Sequence, residues 1–407
     1  MDDSIISKIS FVGDLMCERP FLKAAKKKQM YDFKGFLDPC KDLFSKSDII
    51  IGNLETPCDP YSKLTKDMFI FNSPISFLEE IKDSGINFLT TATNHCLDRG
   101  LSGLKNTIKV MDNIGIQHTG TFLTEKEDKF KIISLNNGMK VGIISFTYGT
   151  NYFDNYVKIN PEEYYCINSL TPIYEGSNDV ESIPSCNSIR AKLTRKIPRS
   201  FRIRFNNLVG REKNFSYIDK FNDGDCNKIK EDFIYNLIQE VKKITDLVIV
   251  CPHFGGQFNV DYGSYVEFFV DLFDKAGADF VVGTHPHVVQ KFRISNSGMN
   301  IAYSLGNISM SLGTPYIELK DLPECSIMFN IYLKNKQVEK ISFSILIETE
   351  NKGFITVYPM HSLYEKSDSK NKKILQTKND IIFNRFLGMN EYNIPIKEEY
   401  IVDFEKL

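Results

Sequence analysis

The sequence predicts an α/β fold with its chemistry gathered at strand ends. Three observations predict it. Short runs rich in Ile, Val and Phe recur, and each closes on a turn of glycine and polar residues. Between several of these runs, apolar residues fall at steps of three and four and stop at a glycine, as helices do. Four of the six histidines stand at the strand ends, beside carboxylates and amides. In open α/β sheets, ligands bind where such loops gather.

The elements follow in order. Ile5 to Val12 reads as a strand ending at Gly13-Asp14. Asp48 to Ile51 is a second, ending in Gly52-Asn53-Leu54-Glu55. Phe77, Leu78 and Ile81 mark a helix that stops at Gly85. Asn87 to Thr91 is a third strand, ending in Thr93-Asn94-His95. Leu101, Leu104, Ile108 and Met111 share one helix face, with Gly115 behind them. Asp246 to Val250 leads into Cys251-Pro252-His253-Phe254-Gly255-Gly256. Val266, Phe269, Val270 and Phe273 form another helix face, ended by Gly277. Asp279 to Val282 runs into Gly283-Thr284-His285-Pro286-His287, and Met299 to Tyr303 into Ser304-Leu305-Gly306-Asn307.

From Tyr148 to Asp225 the pattern lapses, as in an insertion. Between Arg190 and Lys213, nine Lys or Arg residues meet one acid, Glu212. That is a solvated face or an arm that recruits an anionic polymer or phosphate. Alternating apolar residues at Ile341, Phe343 and Ile345 suggest further strands, and Glu365 to Lys378 a linker or helix. The expected organisation is one domain over residues 1–335, with the basic insertion near 150–225, and strands and a tail over 336–407 that complete it or are appended to it.

Fifty basic against 52 acidic residues give a net charge of −2, so nothing global points to nucleic acid or a membrane. Nine scattered cysteines, none spaced Cys-x-x-Cys, fit reduced thiols and a reducing compartment. Met1 to Ser7 lacks an apolar h-region, and no apolar run reaches the roughly 18–20 residues that span a bilayer. A soluble cytoplasmic protein is expected. A chain trimmed of its anchor would read the same and would be extracellular and membrane-associated.

Asp14, Asn53, Glu55, Asn94, His95, His253, His285 and His287 together mix oxygen donors with imidazoles, which suits one or two divalent transition metals. Asp14 and Glu55 are the carboxylates that could bridge two ions, and His95 beside Asn94 could donate a proton or orient a substrate. Asn53 supports Glu55 or its turn. Asp98 caps the helix near Leu101 or stands behind the site. Ser304 and Asn307 shape the cleft floor. Cys96 and Cys251 read as small buried residues, and His118 as structural. No Gly-x-Ser-x-Gly elbow, Walker loop, His-Glu-x-x-His helix or Gly-x-Gly-x-x-Gly is present.

Six motifs occur in the order seen in the CapA family of bacterial capsule synthesis proteins, the PgsA type of poly-γ-glutamate production. They are Val12-Gly13-Asp14, Gly52-Asn53-Leu54-Glu55-Thr56-Pro57, Asn94-His95-Cys96-Leu97-Asp98-Arg99-Gly100, His253-Phe254-Gly255, Gly283-Thr284-His285-Pro286-His287 and Tyr303-Ser304-Leu305-Gly306-Asn307. The resemblance, over residues 8–310, implies a calcineurin-like metallophosphoesterase fold, a four-layer α/β/β/α sandwich. It implies that Asp14 resembles the first-strand metal aspartate, Glu55 the bridging acid and Asn94 the asparagine ligand. His95 would then be the acid or phosphate-orienting partner, with His253, His285 and His287 as ligands. One or two Mn, Fe or Zn ions are implied. The implied partners are an anionic polymer or phosphorylated substrate and capsule synthase components, with no specific nucleic acid. Two positions depart from the phosphoesterase pattern. Met16 stands where a histidine is usual, and Glu55 where an aspartate is.

Overall fold

The computed structural model describes residues 5–64, 69–173, 219–222, 224–314 and 317–404. The basic stretch between Arg190 and Lys213 lies outside the described residues. The first strand is β1 (Ser7–Leu15), followed by a short hairpin of β2 (Lys26–Lys27) and β3 (Met30–Tyr31). Then come β4 (Ile49–Leu54), β5 (Phe88–Thr90), β6 (Gln117–Thr119), β7 (Lys131–Ser134) and β8 (Lys140–Thr147). The next four are β9 (Leu247–His253), β10 (Phe280–Val282), β11 (Phe292–Ile294) and β12 (Asn300–Ala302). The last are β13 (Asn307–Ser309), β14 (Cys325–Lys334), β15 (Gln337–Asn351), β16 (Phe354–Pro359) and β17 (Tyr400–Ile401).

Two mixed sheets result. One runs β16-β15-β14-β1-β4-β5-β6, with β13 added to β1 and β17 to β15. The other runs β11-β12-β10-β9-β8-β7. Within the first, β1, β4, β5 and β6 are parallel, and within the second β8, β9, β10 and β12 are. Ile9, Phe11 and Ile51 of the first sheet share a core with Val141, Ile143 and Ile249 of the second, so the sheets pack face to face. On the outer side of the first sheet, helices Ile75–Asp83 and Gly100–Ile114 bury Phe77, Leu104 and Ile108 against Ile50 and Leu89. Outside the second, helices Lys228–Ile244 and Ser264–Lys275 bury Ile234, Ile238, Phe269 and Phe273 against Val248 and Val250. The four-layer α/β/β/α order follows from these three cores.

The predicted helices end as read, with Gly85, Gly115 and Gly277 all at positive φ. One detail differs. The first strand does not stop before Asp14 but runs through it, because β13 and β4 pair on either side at that level. Of the linker and helix expected over Glu365 to Lys378, the structure forms the helix. Helix Ser369–Leu387 starts on an Asp368 cap and sends Leu375, Ile382 and Phe386 into the core between the sheets. The tail supplies β17, which pairs with β15. No helix among the described residues is long and apolar enough to cross a membrane. The eight described cysteines are free thiols.

Candidate metal centre

The carboxyl ends of the parallel strands in both sheets converge on one buried cluster. In β1 the pleat that sends Ile9 and Phe11 between the sheets breaks at a register shift between Phe11 and Asp14. Such a bulge re-aims a side chain, and here it re-aims Asp14. Gly13 makes the bulge possible, since a Cβ there would lie 1.8 Å from the carbonyl oxygen of Gly306. That carbonyl instead accepts the Asp14 amide at 3.0 Å. The turn after β10 places His285 and His287 at φ 98 and φ 59, left-handed values that hold two non-glycine side chains inward at a cost in strain.

All eight strand-end residues and Asp98 are buried. Asp14 Oδ1 accepts from Asn53 Nδ2 at 2.8 Å, and Asp14 Oδ2 accepts from the His285 backbone amide at 3.1 Å. The same Asn53 nitrogen lies 3.1 Å from His253 Nδ1, and Thr284 Oγ1 is 3.0 Å from that Nδ1. With Nδ1 so engaged, His253 turns Nε2 inward. This nitrogen faces Asn94 Oδ1 at 2.9 Å, His285 Nδ1 at 3.1 Å and Glu55 Oε1 at 3.5 Å. His287 Nε2 is 3.6 Å from the same Glu55 oxygen.

Two groups of donor atoms emerge, each within 4.8 Å: Glu55 with His253 and His285, and Asp14 with Glu55 and His287. Glu55 belongs to both. Neither of its oxygens has a hydrogen-bond partner, and neither does His285 Nε2, although all are buried. Buried carboxylate oxygens without donors are costly. A divalent cation on each side of Glu55 fits this donor set of carboxylate, amide and imidazole. Burial pushes the Glu55 carboxyl up, but His287 and His253 outweigh burial and hold it down at about 2. Burial, helped by His253, keeps His285 well below the usual histidine range, so its ring is neutral, the form that binds metal. Burial also works against charge on His287, yet Glu55 and Asp14 lift it to about 9. A proton there occupies the place a cation would take.

His95 stands beside these groups. Its Nδ1 is 2.8 Å from Asp98 Oδ2, and Phe71 packs edge-on to its ring at 4.7 Å. Burial lowers its pKa, but Asp98 outweighs burial and raises it. The capping reading of Asp98 does not hold. The helix opens on Arg99 without a side-chain cap, and Asp98 spends its oxygens on His95, the Phe71 amide and Asn155. Asn307 lies in β13 rather than in a turn and bonds to His287. Met16 lies in an apolar cluster with Phe71, Phe258, Val288 and Met310. His118 pairs with Asp112, away from the cluster. Sequence reasoning missed Tyr148, whose ring leans on His285 at 4.6 Å, and Asn151. The apolar run of β8 was the available signal, since both follow its end as the other site residues follow theirs.

The family model of the bacterial capsule synthesis protein PGA_cap matches residues 8–311. The chain belongs to this family. It is 25% identical to the PGA biosynthesis protein CapA of Bacillus subtilis (strain 168), over 76% of this chain and 65% of that one. It is 24% identical to the capsule biosynthesis protein CapA of Bacillus anthracis, over 75% of this chain and 60% of that one. The chain thus spans less than two thirds of the length of either relative. Two solved structures are similar to it. GAP50, the anchor in the inner membrane complex of Plasmodium, has 11% identity, a TM-score of 0.38 and coverage of 96% and 99%. A hypothetical protein from Thermus thermophilus has 13% identity, a TM-score of 0.35 and coverage of 86% and 98%. The fold assignment rests on the sheets and cores described above.

Proposed function

We propose that this PGA_cap chain is a metal-dependent hydrolase of capsule or poly-γ-glutamate metabolism, acting on a phosphoester or a polyanionic polymer. The carrying observation is Glu55, buried and shared by two donor groups with neither oxygen hydrogen-bonded. Glu55, Asn94, His253 and His285 would hold one divalent ion, and Asp14, Glu55 and His287 a second, with Mn, Fe or Zn as candidates. Bound ions of this kind polarise a phosphoryl or carbonyl oxygen and lower the pKa of a water. Asp98 fixes His95 through Nδ1, which leaves Nε2 to hold a proton for a leaving group. The buried apolar wall of Met16, Phe71 and Phe258 keeps bulk water from one side. Metal analysis of purified protein, then hydrolysis of a generic phosphomonoester and phosphodiester with added manganese, tests this. Substoichiometric metal and no metal-dependent turnover would sink it.

A second reading is supported by Met16. An apolar side chain beside the Asp14 group leaves that group three donors. A non-catalytic accessory protein could use the same cleft, or the basic residues between Arg190 and Lys213, to bind an anionic polymer or a synthase component. Polymer binding that survives both chelation and His285→Ala favours this reading, and binding lost with either counts against it.

A further inference from the structure

Asn151 follows β8 and is half-buried, while the metal-binding candidates behind it are buried. It is thus the partly exposed neighbour of Asn94 and His95. Its backbone is left-handed at φ 50, a conformation asparagine tolerates better than most residues. The turn is tied down from beneath. Asn155 donates to the Thr150 carbonyl at 2.7 Å, and the same nitrogen lies 3.4 Å from Asp98 Oδ1.

The orientation of the Asn151 amide follows from its neighbours. Its Oδ1 accepts from Asn94 Nδ2 and from the Tyr148 hydroxyl, each at 3.3 Å. With two donors converging on the oxygen, the NH2 group faces His95. There Nδ2 is 3.3 Å from both ring nitrogens, a position that makes an in-plane bond to neither. Every contact of this amide lies beyond the usual hydrogen-bond range. It is a pair of N–H donors beside His95 and Asn94, weakly engaged.

We propose that Asn151 is a substrate-binding residue whose side-chain amide donates to an oxygen of a phosphoryl-type oxyanion held at the centre. This rests on the reading of the centre as a metal site for oxyanions. Nδ2 lies against the His95 ring without a hydrogen bond to it, and on binding it gains a charge-assisted bond to the anion.

The test uses the full chain loaded with manganese, with inorganic phosphate as the probe, followed by calorimetry. Asn151→Gly is the informative variant, because glycine takes φ 50 without strain and the turn survives loss of the amide. Its manganese stoichiometry should match wild type, while phosphate affinity falls roughly 10- to 100-fold, as for a lost bond to a charged group. Asn151→Asp, which keeps the turn but places a carboxylate against the anion, should lose more. Equal phosphate affinity in wild type and Asn151→Gly overturns the inference and leaves the functional reading standing. Reduced manganese uptake in Asn151→Gly also overturns it, since the residue would then serve Asn94. A wild-type chain that takes up manganese and binds no phosphate overturns the inference alone, since the functional reading falls only if metal-dependent turnover is also absent.

Discussion

Asn307 and His287 bond to one another twice. Asn307 Oδ1 accepts from His287 Nδ1 at 2.9 Å, and Asn307 Nδ2 donates to the His287 carbonyl at 2.9 Å. The pair of bonds fixes the ring, places the proton on Nδ1 and turns Nε2 toward Glu55. Groups that orient a ligand in this way tune metal affinity by about 10- to 100-fold. Asn307→Ala should weaken manganese binding by that factor in a calorimetric titration, with the fold retained by circular dichroism. Unchanged affinity would remove Asn307 from the site.

Metal removal should lower stability. A cation that binds only the folded chain adds about 2.7 kcal/mol at a concentration 100 times its dissociation constant. Thermal unfolding with manganese and with chelator should therefore differ in wild type. In His285→Ala the difference should shrink sharply, because the Glu55–His253–His285 group loses a donor. The same shift in both proteins would place the ion elsewhere.

Met16→His tests the apolar wall. Met16 packs with Phe71, Phe258, Val288 and Met310, so a histidine there is buried without a ready partner and should cost roughly 1–3 kcal/mol in the metal-free protein. With manganese it offers the Asp14 group a fourth donor. Metal analysis should then show higher occupancy than in wild type. Lower stability with no gain in bound metal would mean that position 16 faces away from the ion.

Glu348, outside the two donor groups, predicts a pH dependence. Burial, reinforced by Glu18, Glu350 and Glu324, raises its carboxyl well above the ordinary 4.5. One oxygen accepts the Met310 amide at 3.0 Å, and the other has no partner. Below pH 4.5 the folded and unfolded chains both hold this proton. Above it the unfolded chain releases a proton that the fold retains, so stability falls as pH rises toward the raised folded value. Glu348→Gln should raise the melting temperature at pH about 8 and give little gain at pH about 4. Equal shifts at both would point to a packing effect.

The strand ends were legible because their signals are local. Asp279 to Val282 followed by Gly283-Thr284-His285-Pro286-His287 announces a strand, a turn and two imidazoles in nine residues. Helix Lys228–Ile244 carried the same kind of signal in Ile234, Leu237, Ile238 and Val241, but it stands behind the irregular stretch and was not read. Helix Ser369–Leu387 was legible only as one of two alternatives, a linker or a helix. Its buried residues are interrupted by lysines, and its place between the sheets depends on strands far from it in the chain.

The sequence by itself determined which chemical groups this protein brings to its strand ends, because alternation and helical spacing are written within a few neighbouring residues. Tertiary structure decided which of those groups meet. The bulge that turns Asp14, the Asp98 carboxyl that chooses His95 over a helix cap, the double bond between Asn307 and His287, and the apolar neighbours of Met16 all join residues by packing, not all of them close in sequence. Local periodicity holds no information about such contacts. They form only when two sheets close on one another and the desolvated polar groups must find partners there.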